Sequence, residues 1–295
     1  MVISKKVRVH LALFAVALFY AGNFSFAKWA MPQFISPYAF ILLRVGAGMV
    51  FFLGYSLFFS KERIRHKKDY LQLAIASFFG VAFNMTAFFK GLSMTSSINA
   101  SVLMLMAPVF VVIFSAIGYK KRIQPVVYLG IFIAFVGAAL LVDVFNFSWN
   151  NQGFWGDILV MLNAISYAFY LYYVTRLLNK YNALTITTFL FVFGFLMVLP
   201  IGLSDFMEVS WHTLPYSAIF AMVYVIVGIT ILAYILNAWA LQNSHSTTVG
   251  SYIYLQPLLA TLIAIAWGMD TLSPGKVGCG LLIISGLFLV NKGRN

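Results

Sequence analysis

Residues 100–142 read ASVLMLMAPVFVVIFSAIGYKKRIQPVVYLGIFIAFVGAALLV, and residues 250–290 read GSYIYLQPLLATLIAIAWGMDTLSPGKVGCGLLIISGLFLV. A shift of 149 residues lays 91–141 on 240–290 without a gap. Leu92 then falls on Leu241, Pro108 on Pro257, Pro125 on Pro274, Gly137 on Gly286 and Leu140 on Leu289. Apolar matches are cheap in such a chain, but coincident prolines and glycines are not. A slightly different register places FYAG at 19–22 on SYAF at 166–169. The chain therefore reads as one unit used twice, residues 1–146 and 147–295, joined in a single membrane domain.

The setting follows from composition. Of 295 residues, 62% are hydrophobic and 9% carry charge, and the apolar runs match the ~20 residues a helix needs to cross a bilayer. Uninterrupted stretches place spans near 9–30, 37–59, 70–91, 95–118, 125–144, 155–178, 184–204, 214–240, 244–268 and 276–292. The expected fold is an all-α integral membrane protein of ten transmembrane helices. The N-terminal run continues to about residue 30 without a small-residue cleavage site, so it is read as a retained first helix. The net charge of +12 sits in short clusters between apolar runs, as membrane orientation signals do, and nucleic acid is not an expected partner. Cys279 is the single cysteine, which excludes an intrachain disulfide and a Cys-rich metal site.

Basic loops stay cytoplasmic during insertion. With the N-terminus inside, the inner segments hold every Lys and Arg except Lys28, Arg44, Lys90 and Lys276, so both termini are expected to be cytoplasmic. Asp143, Asp157, Asp205, Glu208 and Asp270 fall on the outer side. An odd number of spans per unit forces the second copy to enter from the opposite face, giving two inverted five-helix repeats as in many secondary transporters. Pro108 and Pro257 each remove an amide proton and free a carbonyl one turn earlier, near Met104 and Ile253. The kink they make serves either as a hinge or as static packing.

The two quoted segments resemble the closing helix pair of the EamA-type proteins, ten-helix members of the drug/metabolite transporter superfamily. SPYAFILLRVGAG at 36–48 resembles the family's second helix, with Arg44 at the place of its usual arginine. The resemblance covers essentially the whole chain. It implies a central cavity lined by the first, third, fourth, sixth, eighth and ninth helices, and export of metabolites. One departure is clear: the family usually has a glutamate after each proline-bearing helix, where this chain has Asp270 in the second copy and Lys121 in the first.

Polar side chains inside spans are costly unless they face protein or water, and so are candidate binding residues. The first half offers Tyr20, Asn23, Arg44, Asn84 and Asn99; the second offers Asn163, Tyr167, Tyr170, Tyr234, Asn237, Tyr252 and Gln256. For each Asn or Gln the competing role is an interhelical hydrogen bond, and for each Tyr a place in the interfacial belt. Arg44 lies about seven residues, roughly 10 Å, in from the outer end of its helix. It is expected near the outer mouth with Lys28 and Lys90, engaging either a substrate carboxylate or phosphate or a structural partner such as a carbonyl or an outer acid.

No Asp or Glu falls near the middle of a span, so a carboxylate proton relay has no evident seat. His245 begins the ninth span and reads as a helix-start polar residue. There is no P-loop, no HExxH, no CxxC and no Ser/His/Asp set, so no catalytic residue, cofactor or metal is expected. The expected function is secondary transport, by alternating access, of a small metabolite such as an amino acid, in a bacterial inner membrane. The partners are that solute and the lipid bilayer, with a homodimer left open. Nucleotide-sugar or drug transport, a lipid-modifying membrane enzyme and a non-transporting sensor or assembly partner are the alternatives.

Overall fold

A computed structural model of the chain describes residues 5–59, 62–120, 124–146, 148–244 and 252–292, and every regular element among them is helical. His245 lies outside these residues, as do Lys61, Lys121, Arg122 and Arg294 of the basic clusters. The helices are α1 (Lys5–Ala30), α2 (Pro37–Phe59), α3 (Lys67–Met94), α4 (Ser97–Tyr119), α5 (Pro125–Val142), α6 (Gln152–Leu178) and α7 (Ala183–Glu208). Then come α8, running from Tyr216–Val223 to Ala233–Asn243, α9 (Tyr252–Ala266) and α10 (Pro274–Lys292). Among the described residues nine of these are long and apolar enough to cross a membrane, and α9 is a shorter apolar helix. The chain is a multi-pass membrane protein.

Local chemistry sets the helix ends. Proline opens α2, α5 and α10, where its missing N–H costs nothing. Ser96, Asn151 and Asn182 cap α4, α6 and α7, their side-chain oxygens accepting the N–H groups of Asn99 (3.1 Å), Phe154 (3.2 Å) and Thr185 (2.8 Å).

The two halves also break their helices at matching places. A 3₁₀ turn, Met104–Met106, precedes Pro108, and another, Tyr252–Tyr254, precedes Pro257. The carbonyl of Met104, which Pro108 cannot serve, accepts instead from the N–H of Ala107. Likewise α3 carries a π-helical stretch at Phe78–Ala82 and α8 a longer one at Tyr224–Leu232, with Gly80 and Gly228 inside them.

Packing repeats the duplication. α2 lies against α7 and α5 against α10; α3 and α4 pack on α6, as α8 and α9 pack on α1; and α4 meets α9. Adding five to each first-half number returns the same set of pairs. The equivalent helices α2 and α7 are antiparallel, since a Cβ on Gly48 would meet Phe191 while one on Gly202 would meet Tyr38. Their ends are tied alike: Ser36 at the start of α2 donates to Asp205 (2.5 Å), and the N–H of Asn182 at the start of α7 donates to Glu62 (3.0 Å). Antiparallel equivalents are what inverted repeats require. In α5 and α10 the contact is backbone on backbone, because a Cβ on Gly130 would sit 2.6 Å from the Gly286 carbonyl and one on Gly286 2.5 Å from that of Gly130. Small residues permit the close approach by which helices associate in lipid.

Candidate functional site

Between the halves lies a cavity of about 430 Å³, walled by α1, α3, α4, α6, α8 and α9 with one side chain from α2. Its lining takes in Tyr20 and Asn23 of α1, Asn84 of α3, and Asn163 and Tyr167 of α6. From the second half's closing helices come Tyr234 and Asn237 of α8 and Tyr252 and Gln256 of α9. Pro108 and Pro257 face the same space, so both broken helix segments form part of its wall. Each is therefore placed to reshape the cavity if its helix bends.

Asn99 and Tyr170 stand apart from this lining. Asn99, in the first turn of α4, donates its side-chain amide to Asp157 (3.0 Å). Tyr170 packs its ring where a Cβ on Gly80 would lie, 6.0 Å from the ring of Tyr167.

Arg44 is placed differently from the sequence expectation. It does not stand at a mouth with Lys28 and Lys90 but is buried and reaches the central cavity, where it is the one charged residue of the lining among the described residues. Its Nε donates to Thr230 Oγ1 (3.0 Å), and its guanidinium lies 5.4 Å from the centre of the Phe89 ring. Thr230 in turn donates to the carbonyl of Val225 (3.3 Å), inside the π-helical stretch of α8. The irregular helix thus supplies the acceptor that orients Arg44's partner. No acid pairs with Arg44 among the described residues. A buried cation with one hydrogen bond and no counter-ion is costly, and an anionic group entering the cavity would relieve that cost.

Other polar groups divide between structure and cavity. Asn84 and Asn163 each donate to the other's backbone carbonyl, at 3.1 and 2.8 Å, across α3 and α6. Asn23 Oδ1 and Asn163 Oδ1 are buried acceptors without a partner among the described residues. Such orphaned oxygens are rare in folded proteins and here belong to side chains that line the cavity.

Towards the end where α1 finishes, a polar cluster closes the bundle. Lys28 of α1 donates to the carbonyls of Thr95 and Leu92 at the α3–α4 corner, while Lys90 lies 5.8 Å from the Tyr38 ring. Ser97 donates to the Phe24 carbonyl (2.9 Å). Asp270, between α9 and α10, accepts from the N–H of Ile98 (3.0 Å) and pairs with Lys276 (2.9 Å). Burial raises the proton affinity of Asp270, but bonds from Lys276, Ser96 and the N–H groups of Ile98 and Thr271 outweigh it, holding the carboxyl below its usual range. At the opposite end His10 meets the Tyr252 hydroxyl (2.8 Å).

Thr230, Ser101 and Asp157 escaped the sequence reading. Thr230 and Ser101 are polar interruptions of apolar runs, a signal open to a stricter search. Asp157, one of the acids expected on the outer side, is buried at 3% exposure, because α6 starts five residues earlier and its first turns pack against α3.

Comparison with known proteins agrees with this architecture. The EamA-like transporter family model matches twice, at residues 7–143 and 154–292. An uncharacterized transporter of Archaeoglobus fulgidus is 26% identical over 87% of this chain and 88% of its own. The uncharacterized transporter YyaM of Bacillus subtilis is 24% identical over 98% and 97%. A probable terminal-alkyne amino-acid exporter of Streptantibioticus cattleyicolor is 24% identical over 66% of this chain and 64% of its own. A solved crystal structure, 18% identical and covering 99% of both chains, superimposes with a TM-score of 0.61, which speaks to the fold alone. With both halves matched by one family model and set around a common cavity, the chain belongs to the EamA-like transporter family, within the drug/metabolite transporter superfamily.

Proposed function

We propose that this protein is a secondary exporter of a small carboxylate-bearing metabolite of the amino-acid class, working by alternating access of inverted halves. The observation that carries this reading is Arg44, a buried guanidinium facing the cavity with Thr230 as its hydrogen-bond partner. A carboxylate accepts the remaining donors in a fork geometry that Lys cannot reproduce. Tyr20, Tyr167 and Tyr234 supply aromatic faces and hydroxyls, and Asn23 and Asn163 supply the acceptors an ammonium group needs. The relative described as an amino-acid exporter supports the same solute class. Asn84, Asn237, Tyr252 and Gln256 complete the proposed substrate-binding set, Pro108 and Pro257 act as hinges, and transport replaces catalysis.

In this reading residues 1–146 and 147–295 are the repeats, both termini face the cytoplasm, and the membrane is a bacterial inner membrane. The basic clusters support that orientation. Ligand-induced thermal shift of the detergent-solubilised protein against amino acids, sugars, nucleotides and cationic drugs tests the solute class, because a ligand of the folded state raises its stability by mass action. An amino-acid shift that Arg44→Lys and Tyr167→Phe weaken is the expected result. Stabilisation by cations alone, or by amino acids equally in all three proteins, would overturn it.

A further inference from the structure

The register that lays FYAG on SYAF also lays His10 on Asp157. Both residues occupy the first helix of their half, near opposite ends of the cavity, and both bond to the other half's fourth helix or its leading corner. His10 meets Tyr252 of α9; Asp157 accepts from the hydroxyl of Thr95 and from the amide of Asn99, at the start of α4. Asp157 is the more demanding of the two, for a carboxylate at 3% exposure has no ion-pair partner within 4 Å among the described residues. Buried acids are rare in membrane bundles and are candidates for ion or proton sites.

We propose that Asp157 is a proton-binding site that links a proton to the opening of this end of the transporter. The charged groups around it are Lys28 of α1, Lys276 of α10 and Asp270 between α9 and α10, so with Asp157 ionised the cluster balances two lysines against two carboxylates. Lys28 stands in the field of both acids while its ammonium closes the gap between α1 and the α3–α4 corner. A proton taken from water forms an O–H bond on Asp157 and leaves two lysines facing one carboxylate. Lys28 then keeps its carbonyl bonds and the field of Asp270 but loses the attraction of Asp157, which weakens the hold of α1 on the corner and favours opening of this end.

The neighbourhood accommodates either protonation state. Asn99 Oδ1 is buried without a hydrogen-bond partner while its amide nitrogen serves the ionised acid. Turning that amide over presents Oδ1 to the O–H of the protonated acid. The new O–H of the acid thereby finds an acceptor already in place. In the proposed orientation this end is extracellular, so external protons open the exit side.

The test needs no solute. Spin labels are placed on Gln152→Cys and Thr271→Cys, two exposed positions at this end, in protein carrying Cys279→Ser, and the distance distribution is recorded between about pH 8 and about pH 5. The long-distance population is expected to grow about threefold or more as the pH falls in that parent. In Asp157→Asn it is expected to be high and independent of pH. A pH-independent parent, or a dependence that survives Asp157→Asn, overturns the proposal. Should Asp157→Asn fail to fold, Asp157→Glu decides: the midpoint moves with the new acid if this site titrates and stays in place otherwise. The site rests on the transporter reading, but solute stabilisation at one pH with Asp157 intact tests that reading separately, so either can fail alone.

Discussion

Asn84 and Asn163 donate their side-chain amides to each other's backbone carbonyls, at 3.1 and 2.8 Å, and so join α3 of one half to α6 of the other. Gly91 and Gly156 extend the same seam, since a Cβ on Gly91 would lie 2.7 Å from the Gly156 carbonyl. Hydrogen bonds between membrane helices are individually weak, and here two are made by one reciprocal pair. Asn84→Ala and Asn163→Ala are each expected to cost about 1 kcal/mol of stability, with the double variant costing less than the sum because each single change disrupts the shared geometry. Thermal unfolding of the four proteins in detergent measures the coupling, and strict additivity would deny the clasp.

The α5–α10 seam predicts a contrast between two glycines of one helix. A Cβ at Gly286 would stand 2.5 Å from the Gly130 carbonyl and 2.6 Å from the Ala134 amide, both backbone atoms that cannot turn aside, whereas one at Gly278 meets nothing within 4 Å. Gly286→Ala is expected to destabilise by roughly 1–3 kcal/mol, and Gly278→Ala to be neutral or slightly stabilising. Melting temperatures of the two variants, read against the parent, settle it.

How far the sequence could be read depended on the kind of signal. Span number and the duplication were legible because a helix needs about 20 apolar residues in lipid and because proline and glycine keep their places in both copies. Pro108 and Pro257 announced the broken segments that wall the cavity. Arg44 was misplaced because depth along a helix is readable but azimuth is not: α2 is apolar on all sides, so no stripe marks which face turns inward. The π-helical stretches of α3 and α8 rotate everything beyond them, and a change of helical period leaves no compositional trace. The burial of Asp157 was illegible for a related reason, since closeness to a helix end does not tell burial by α3 from exposure to water.

Asp270 predicts a dependence on pH. Its folded carboxyl titrates below the ordinary value, so the folded state binds fewer protons than the unfolded state and gains stability from this group above about pH 4. That gain is lost as the pH falls through the folded value. Melting temperature between about pH 6 and about pH 3 should therefore drop less steeply in Asp270→Asn than in the parent, while the variant is the less stable protein at neutral pH. Equal slopes would show that the bonds from Ile98 and Lys276 do not hold the carboxylate in its charged form.

Thr230 separates the proposed binding role of Arg44 from its burial. The hydroxyl accepts from Arg44 Nε and donates to Val225, so Thr230→Ser keeps both bonds and Thr230→Val, of nearly the same shape, removes both. A guanidinium that only fills space would be indifferent to this choice apart from stability. One that presents its outer donors to a carboxylate depends on Thr230 to fix its rotation, and orientation errors weaken a bidentate contact sharply. Thr230→Val is therefore expected to reduce amino-acid affinity about tenfold, corresponding to about 1.4 kcal/mol, while Thr230→Ser stays near the parent. Titration calorimetry of the purified proteins reads the difference. Equal affinities in Thr230→Val and Thr230→Ser would return Arg44 to a structural role and move the carboxylate's partner to the tyrosine hydroxyls of the cavity.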